Sequence, residues 1–63
     1  MKFFELEEGQ PFWFSHETER SEYNLFKCVG VDGMYGRFVN AADDHLDHTK
    51  WMYGAPNADV TPE

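Results

Sequence analysis

The stretch YNLFKCVGVDGMYGRFV, Tyr23 to Val39, decides the fold. Tyr23 to Val31 is dense in strand-forming residues, and Gly30 near its end marks a bulge or bend. Asp32-Gly33 follows, a dipeptide that tolerates positive φ at turn positions and so signals a hairpin between two apolar runs. Met34 to Val39 then returns as the partner strand, with Gly36 at a sharp bend or a close backbone approach. An antiparallel hairpin is therefore expected at the centre of the chain.

Upstream, Pro11-Phe12-Trp13-Phe14-Ser15 reads as a strand, because bulky aromatics suit a pleated surface and proline is tolerated at a first strand position. With Phe12 and Phe14 facing inward, Trp13 faces outward or toward a partner. Before it, Phe3, Phe4 and Leu6 form an apolar anchor running into a turn at Glu7-Glu8-Gly9, and after it Ser15 to Ser21 is a wholly polar loop. Downstream, Asn40 to Lys50 is a long loop or one helical turn with Asn40 as its cap. Trp51-Met52-Tyr53 is a further short apolar run, stopped by Gly54-Ala55-Pro56, and Asn57 to Val60 would make a last edge strand. The fold class is thus all-β, a small barrel or strongly bent meander of about five strands. It forms one domain over residues 1–63, with Thr61, Pro62 and Glu63 as a loose tail.

Size and charge narrow this further. With 63 residues one small core is the ceiling, since such a chain buries only about 60% of its unfolded surface. Cys28 is the one cysteine, so no intrachain disulfide staples the fold. No apolar run has the length of a signal peptide or approaches the roughly 20 residues that span a bilayer, and a soluble, cytoplasmic protein is expected.

The order Phe4, Leu6, Gly9, Phe12 and Phe14, a strand carrying Lys27, a hairpin, a strand ending Phe38-Val39-Asn40 and a closing Val60 before Pro62 resembles small SH3-like β-barrel proteins of bacteriophage genomes. The resemblance implies an SH3-like barrel and a phage-encoded protein acting in the host cytoplasm. The polar insert Ala41 to Lys50 departs from that pattern, being longer and richer in histidine.

The candidate chemistry is in the carboxylates. Twelve Asp and Glu against five Lys and Arg give a net charge of -7. They fall in three groups: Glu5, Glu7 and Glu8; Glu17, Glu19 and Glu22; Asp43, Asp44 and Asp47. In extended chain, residues two apart stand about 6.6 Å apart on one face. Glu5 with Glu7, or Glu17 with Glu19, would then imitate a row of phosphates and occupy the basic groove of a nucleic-acid-handling protein. The alternative is that negative charge simply keeps an aromatic-rich domain soluble. Direct nucleic-acid binding is disfavoured, because five cations oppose twelve carboxylates.

Eleven aromatics exceed what one small core readily hides, and Trp13 and Trp51 are the candidate exposed anchors of a partner interface. Exposed aromatics would equally serve a structural or assembly module that forms homo-oligomers. A third possibility is a small Zn²⁺ site at His45 and His48, whose spacing of three places both imidazoles on one face of a helix beside carboxylates. There is no phosphate-binding glycine loop, no G-x-S-x-G elbow and little room for a water-excluding pocket, so no enzyme is expected.

Overall fold

The central hairpin forms from β2 (Phe26–Asp32) and β3 (Tyr35–Asn40), with Asp32 opposite Tyr35 as its last pair. The two loop residues are Gly33 and Met34, one position later than the expected Asp32-Gly33. Gly33 has φ +60 and Met34 does not, which is the type II′ arrangement with glycine at the first central position. Asp32 stays in the strand, where its carboxylate pairs with Arg37. The ladder shifts register between Cys28 and Gly30, the bulge expected at that glycine.

The computed structural model describes residues 1–63 and adds β1 (Pro11–Phe14), β4 (Met52–Gly54) and β5 (Val60–Pro62) to one antiparallel sheet of order β4-β3-β2-β1-β5. The fold is all-β with five strands, as expected. The two ends of the sheet do not pair with each other, so it is unclosed: β1 to β4 form a meander, and β5 crosses over to pair with β1. Three single 3-10 turns, at Phe3–Glu5, Glu22–Asn24 and His48–Lys50, are its entire helical content.

Several boundaries differ from the sequence expectation. The edge strand expected at Asn57 to Val60 begins only at Val60, because Pro56 and Asn57 turn the chain, the Ala58 amide donating to the Ala55 carbonyl at 3.1 Å. Tyr23 lies in a turn ahead of β2, because Ser21 and Asn24 cap Glu22–Asn24 reciprocally: the Ser21 hydroxyl accepts from the Tyr23 amide and the Asn24 side chain from the Ser21 amide. At the other end, Thr61 and Pro62 are not a loose tail. They pair with Trp13 and Phe12 of β1, and the Glu63 amide donates to the Pro11 carbonyl at 3.1 Å. Proline is tolerated there because β5 is an edge strand.

The core gathers Phe3, Phe12, Cys28, Phe38 and Val60, with Leu6, Phe14 and Phe26 packed against it. Its rings meet mostly edge to face, Phe3 with Phe12 at 5.4 Å and Phe12 with Phe38 at 6.1 Å between centroids, the arrangement that ring quadrupoles favour. The N-terminal segment straps the far edge: the Phe3 amide donates to the Ala58 carbonyl at 2.9 Å and the Val60 amide to the Met1 carbonyl at 2.8 Å. That covers β5 and leaves β4 as the open edge. No helix is long and apolar enough to cross a membrane.

Cys28 is 1% exposed, and burial, followed by the nearby Glu8 charge, pushes its thiol up to about 11. The thiolate is the reactive form, so the folded protein should resist a thiol reagent at pH 7 to 8, and Cys28 should react at the rate of global unfolding. Rapid labelling without denaturant would show that the core opens locally.

Asp59 pairs with Lys2 at 2.8 Å, and the hydrogen bond and charge of Lys2 hold its carboxyl below the usual range. A carboxyl depressed on folding stabilises above its unfolded pKa, and that contribution disappears as pH falls through the folded value. Wild type should therefore melt above Asp59→Asn at pH 6, and the two should converge as the pH falls below the depressed Asp59 value. A difference that persists in acid would assign the effect to packing.

Candidate functional site

The long segment after β3 is a chain of side-chain-capped turns. The Asn40 side chain accepts from the Ala42 amide at 3.0 Å, and Asp44 from the Leu46 amide at 2.9 Å. Asp47 accepts from the Thr49 amide at 3.1 Å and its hydroxyl at 2.6 Å, capping His48–Lys50. These bonds hold the Asp47 carboxyl below its ordinary value, the side-chain bond contributing most. Short polar side chains do this because they bond their own backbone two residues on.

Trp51 fixes the loop from behind. Its indole N–H donates to the His45 carbonyl at 2.9 Å, and the Arg37 guanidinium lies over its ring at 4.7 Å from the centroid. Trp13 is used in the same way, its indole N–H donating to the Ser21 carbonyl at 2.9 Å. Both indoles are half-buried, which corrects the expectation that they are free interface anchors. Each spends its donor on a loop carbonyl, as a partly buried indole must.

The acidic groups do not form the extended rows expected of a phosphate mimic. Glu5 closes a 3-10 turn by accepting from the Lys2 amide at 2.9 Å, and Glu7 turns into Gln10. Glu17 closes the turn after β1, its amide donating to the Phe14 carbonyl at 3.0 Å, and Glu19 lies in the bend that follows, in a segment tied to β5 through Ser15 and Arg20 to Thr61. What the fold does instead is bring groups together across the sequence. Glu8 meets His45 at 3.1 Å, joining the first acidic group to the Asp43, Asp44 and Asp47 loop over 37 residues.

An open groove of about 410 Å³ lies at the start of this loop, lined by Glu22, Tyr23, Leu25, Asn40, Ala41 and Ala42. Glu22 of the second group thereby stands across from the residues leading into Asp43. Of the twelve carboxylates, Asp32 and Asp59 pair with Arg or Lys and Glu8 and Glu17 with a histidine, leaving eight without a basic partner in the chain.

His45 and His48 are not brought into one ligand set. His45 is engaged with Glu8, His48 sits edge-on to Trp51 at 6.2 Å, and no group of three or more His, Cys, Asp or Glu is placed to hold a metal ion. The exposed apolar side chains are others, among them Tyr23 at 85% and Leu46 at 70%, Met34 in the β2–β3 loop, and Tyr35 and Tyr53 beside one another. Leu46 was visible as the lone large apolar side chain of an otherwise polar run, and Tyr23 through its Ser21-x-x-Asn24 cap. Comparison with protein-family models, with curated proteins and with solved structures finds no match to this chain.

Proposed function

We propose that this is a non-enzymatic binding protein whose acidic side docks on a basic surface of a nucleic-acid-handling protein and modulates it. The observation that carries this reading is the Glu8 to His45 contact, which joins the loop carrying Glu7 and Glu8 to the loop carrying Asp43, Asp44 and Asp47, 37 positions further along the chain. Eight carboxylates unmatched by Lys, Arg or His within the chain leave that charge free to steer a cationic partner. The Asx turns support it too, because a loop already held in shape loses little freedom on binding. A phage origin and action in the host cytoplasm belong to the same proposal, on the resemblance given above.

The test is a nuclear magnetic resonance titration with the peptide acetyl-Gly-Lys-Lys-Ser-Lys-Lys-Gly-amide. Shifts should concentrate at Glu7 to Gly9, Glu22 and Asn40 to Asp47, and affinity should fall severalfold between about 50 and 200 mM NaCl. Shifts spread evenly over Asp32, Asp59 and Glu63 as well, or affinity indifferent to salt, would overturn the reading.

One observation favours assembly as a second reading. β4 is an open edge of three residues with Tyr35 and Tyr53 exposed beside it, their rings 6.2 Å apart. Sedimentation equilibrium would show dimers weakened by Tyr53→Lys; a monomer at millimolar concentration removes this reading.

A further inference from the structure

We infer that the groove between Glu22–Tyr23 and Asn40–Ala42 takes one apolar side chain of a partner segment in which that residue is flanked by Lys or Arg. This rests on the acidic-side reading above and specifies what the partner presents there.

The turn carrying Tyr23 is heavily built for three residues. The Ser21 hydroxyl and Asn24 side chain cap it, the Asn24 amide donates to the Glu19 carbonyl, and Trp13 donates to the Ser21 carbonyl from the sheet. All of that order leaves the Tyr23 ring 85% exposed. A rigid aromatic held in water gains nothing within the chain, and tyrosine fixed in advance offers contact area at low entropic cost.

The opposite wall is equally fixed: the Ala41 amide donates to the Leu25 carbonyl at 3.0 Å and the Ala42 amide to the Asn40 side chain. Leu25, 8% exposed, contributes apolar surface between them. About 410 Å³ is the low end of ligand-site volumes, and an open groove of that size covers one side chain rather than enclosing a small molecule.

Charge complementarity selects the neighbours of that side chain. The Glu22 carboxylate has no partner in the chain, and Ala42 leads directly to Asp43 and Asp44. The Asn40 amide nitrogen makes no bond and is a free donor for a partner carbonyl. An apolar residue between basic ones satisfies all three.

The probe is acetyl-Gly-Lys-Lys-Leu-Lys-Lys-Gly-amide, compared with the serine peptide above. The leucine peptide should bind about tenfold more tightly, shift Tyr23, Leu25, Ala41 and Ala42, and lose that advantage in Tyr23→Ala. Tyr23 is exposed, so the variant should fold as wild type does.

Equal affinity of the two peptides, with salt-sensitive shifts confined to the carboxylates, overturns this inference and leaves the acidic-side reading intact. Leucine-dependent binding at the groove that ignores salt and Asp43→Asn with Asp44→Asn supports the groove and overturns the electrostatic reading. Binding of neither peptide at millimolar concentration overturns both.

Discussion

Gly36→Ala is expected to remove about half of the protein's stability. A Cβ at that position would stand 2.5 Å and 2.6 Å from two carbons of the Phe3 ring, far inside van der Waals contact. Phe3 has nowhere to go, being 1% exposed and packed against Phe12 and Phe38. Overpacking of this kind costs about 1–3 kcal/mol or more, against the roughly 3–5 kcal/mol that one small core supplies. Urea unfolding should show a midpoint lowered by half or more. The penalty should shrink in a Phe3→Leu background, with a coupling of about 1–3 kcal/mol between the two sites. A neutral Gly36→Ala would mean that the N-terminal segment does not press on β3.

Phe12→Ala should be at least as damaging. The ring is fully buried and lies within 6.1 Å, centroid to centroid, of Phe3, Phe14, Phe26 and Phe38. Its truncation removes the hub of the aromatic cluster, at about 3–5 kcal/mol including the cavity left behind. That equals the stability such a chain is expected to have. Circular dichroism should report an unfolded chain, while Phe12→Leu, which keeps most of the volume, should fold with a lower melting temperature. A cooperative transition in Phe12→Ala close to that of wild type would contradict the core described above.

The strands were legible where local signals and burial agree. Pro11 to Phe14 and the hairpin around Gly33 carry aromatic or β-branched runs and a turn glycine, and these act over a few residues. The misplacements have one physical form. Tyr23 has high strand propensity, but the Ser21 and Asn24 caps outweigh it. Thr61 and Pro62 look unstructured, yet β1 needs a partner on its second edge and takes them. The site was less legible for the same reason. Nothing local to Glu8 announces His45, and nothing local to Trp51 announces that its N–H holds the His45 carbonyl. Those contacts exist only once the sheet has set the distance between loops. The carboxylate groups were read correctly as groups, and their extended-row arrangement was not, because the turns that cap them are made of the same acidic residues.

The central claim is that the position of the charge, and not its total, makes the surface. Two variants of identical net charge decide it: Asp43→Asn with Asp44→Asn on the joined acidic side, and Glu17→Gln with Glu63→Gln, away from it beside β1 and β5. Affinity for acetyl-Gly-Lys-Lys-Leu-Lys-Lys-Gly-amide at about 50 mM NaCl should fall about threefold or more in the first and stay close to wild type in the second. Equal losses in the two would show that bulk charge alone attracts the peptide, and would contradict the account.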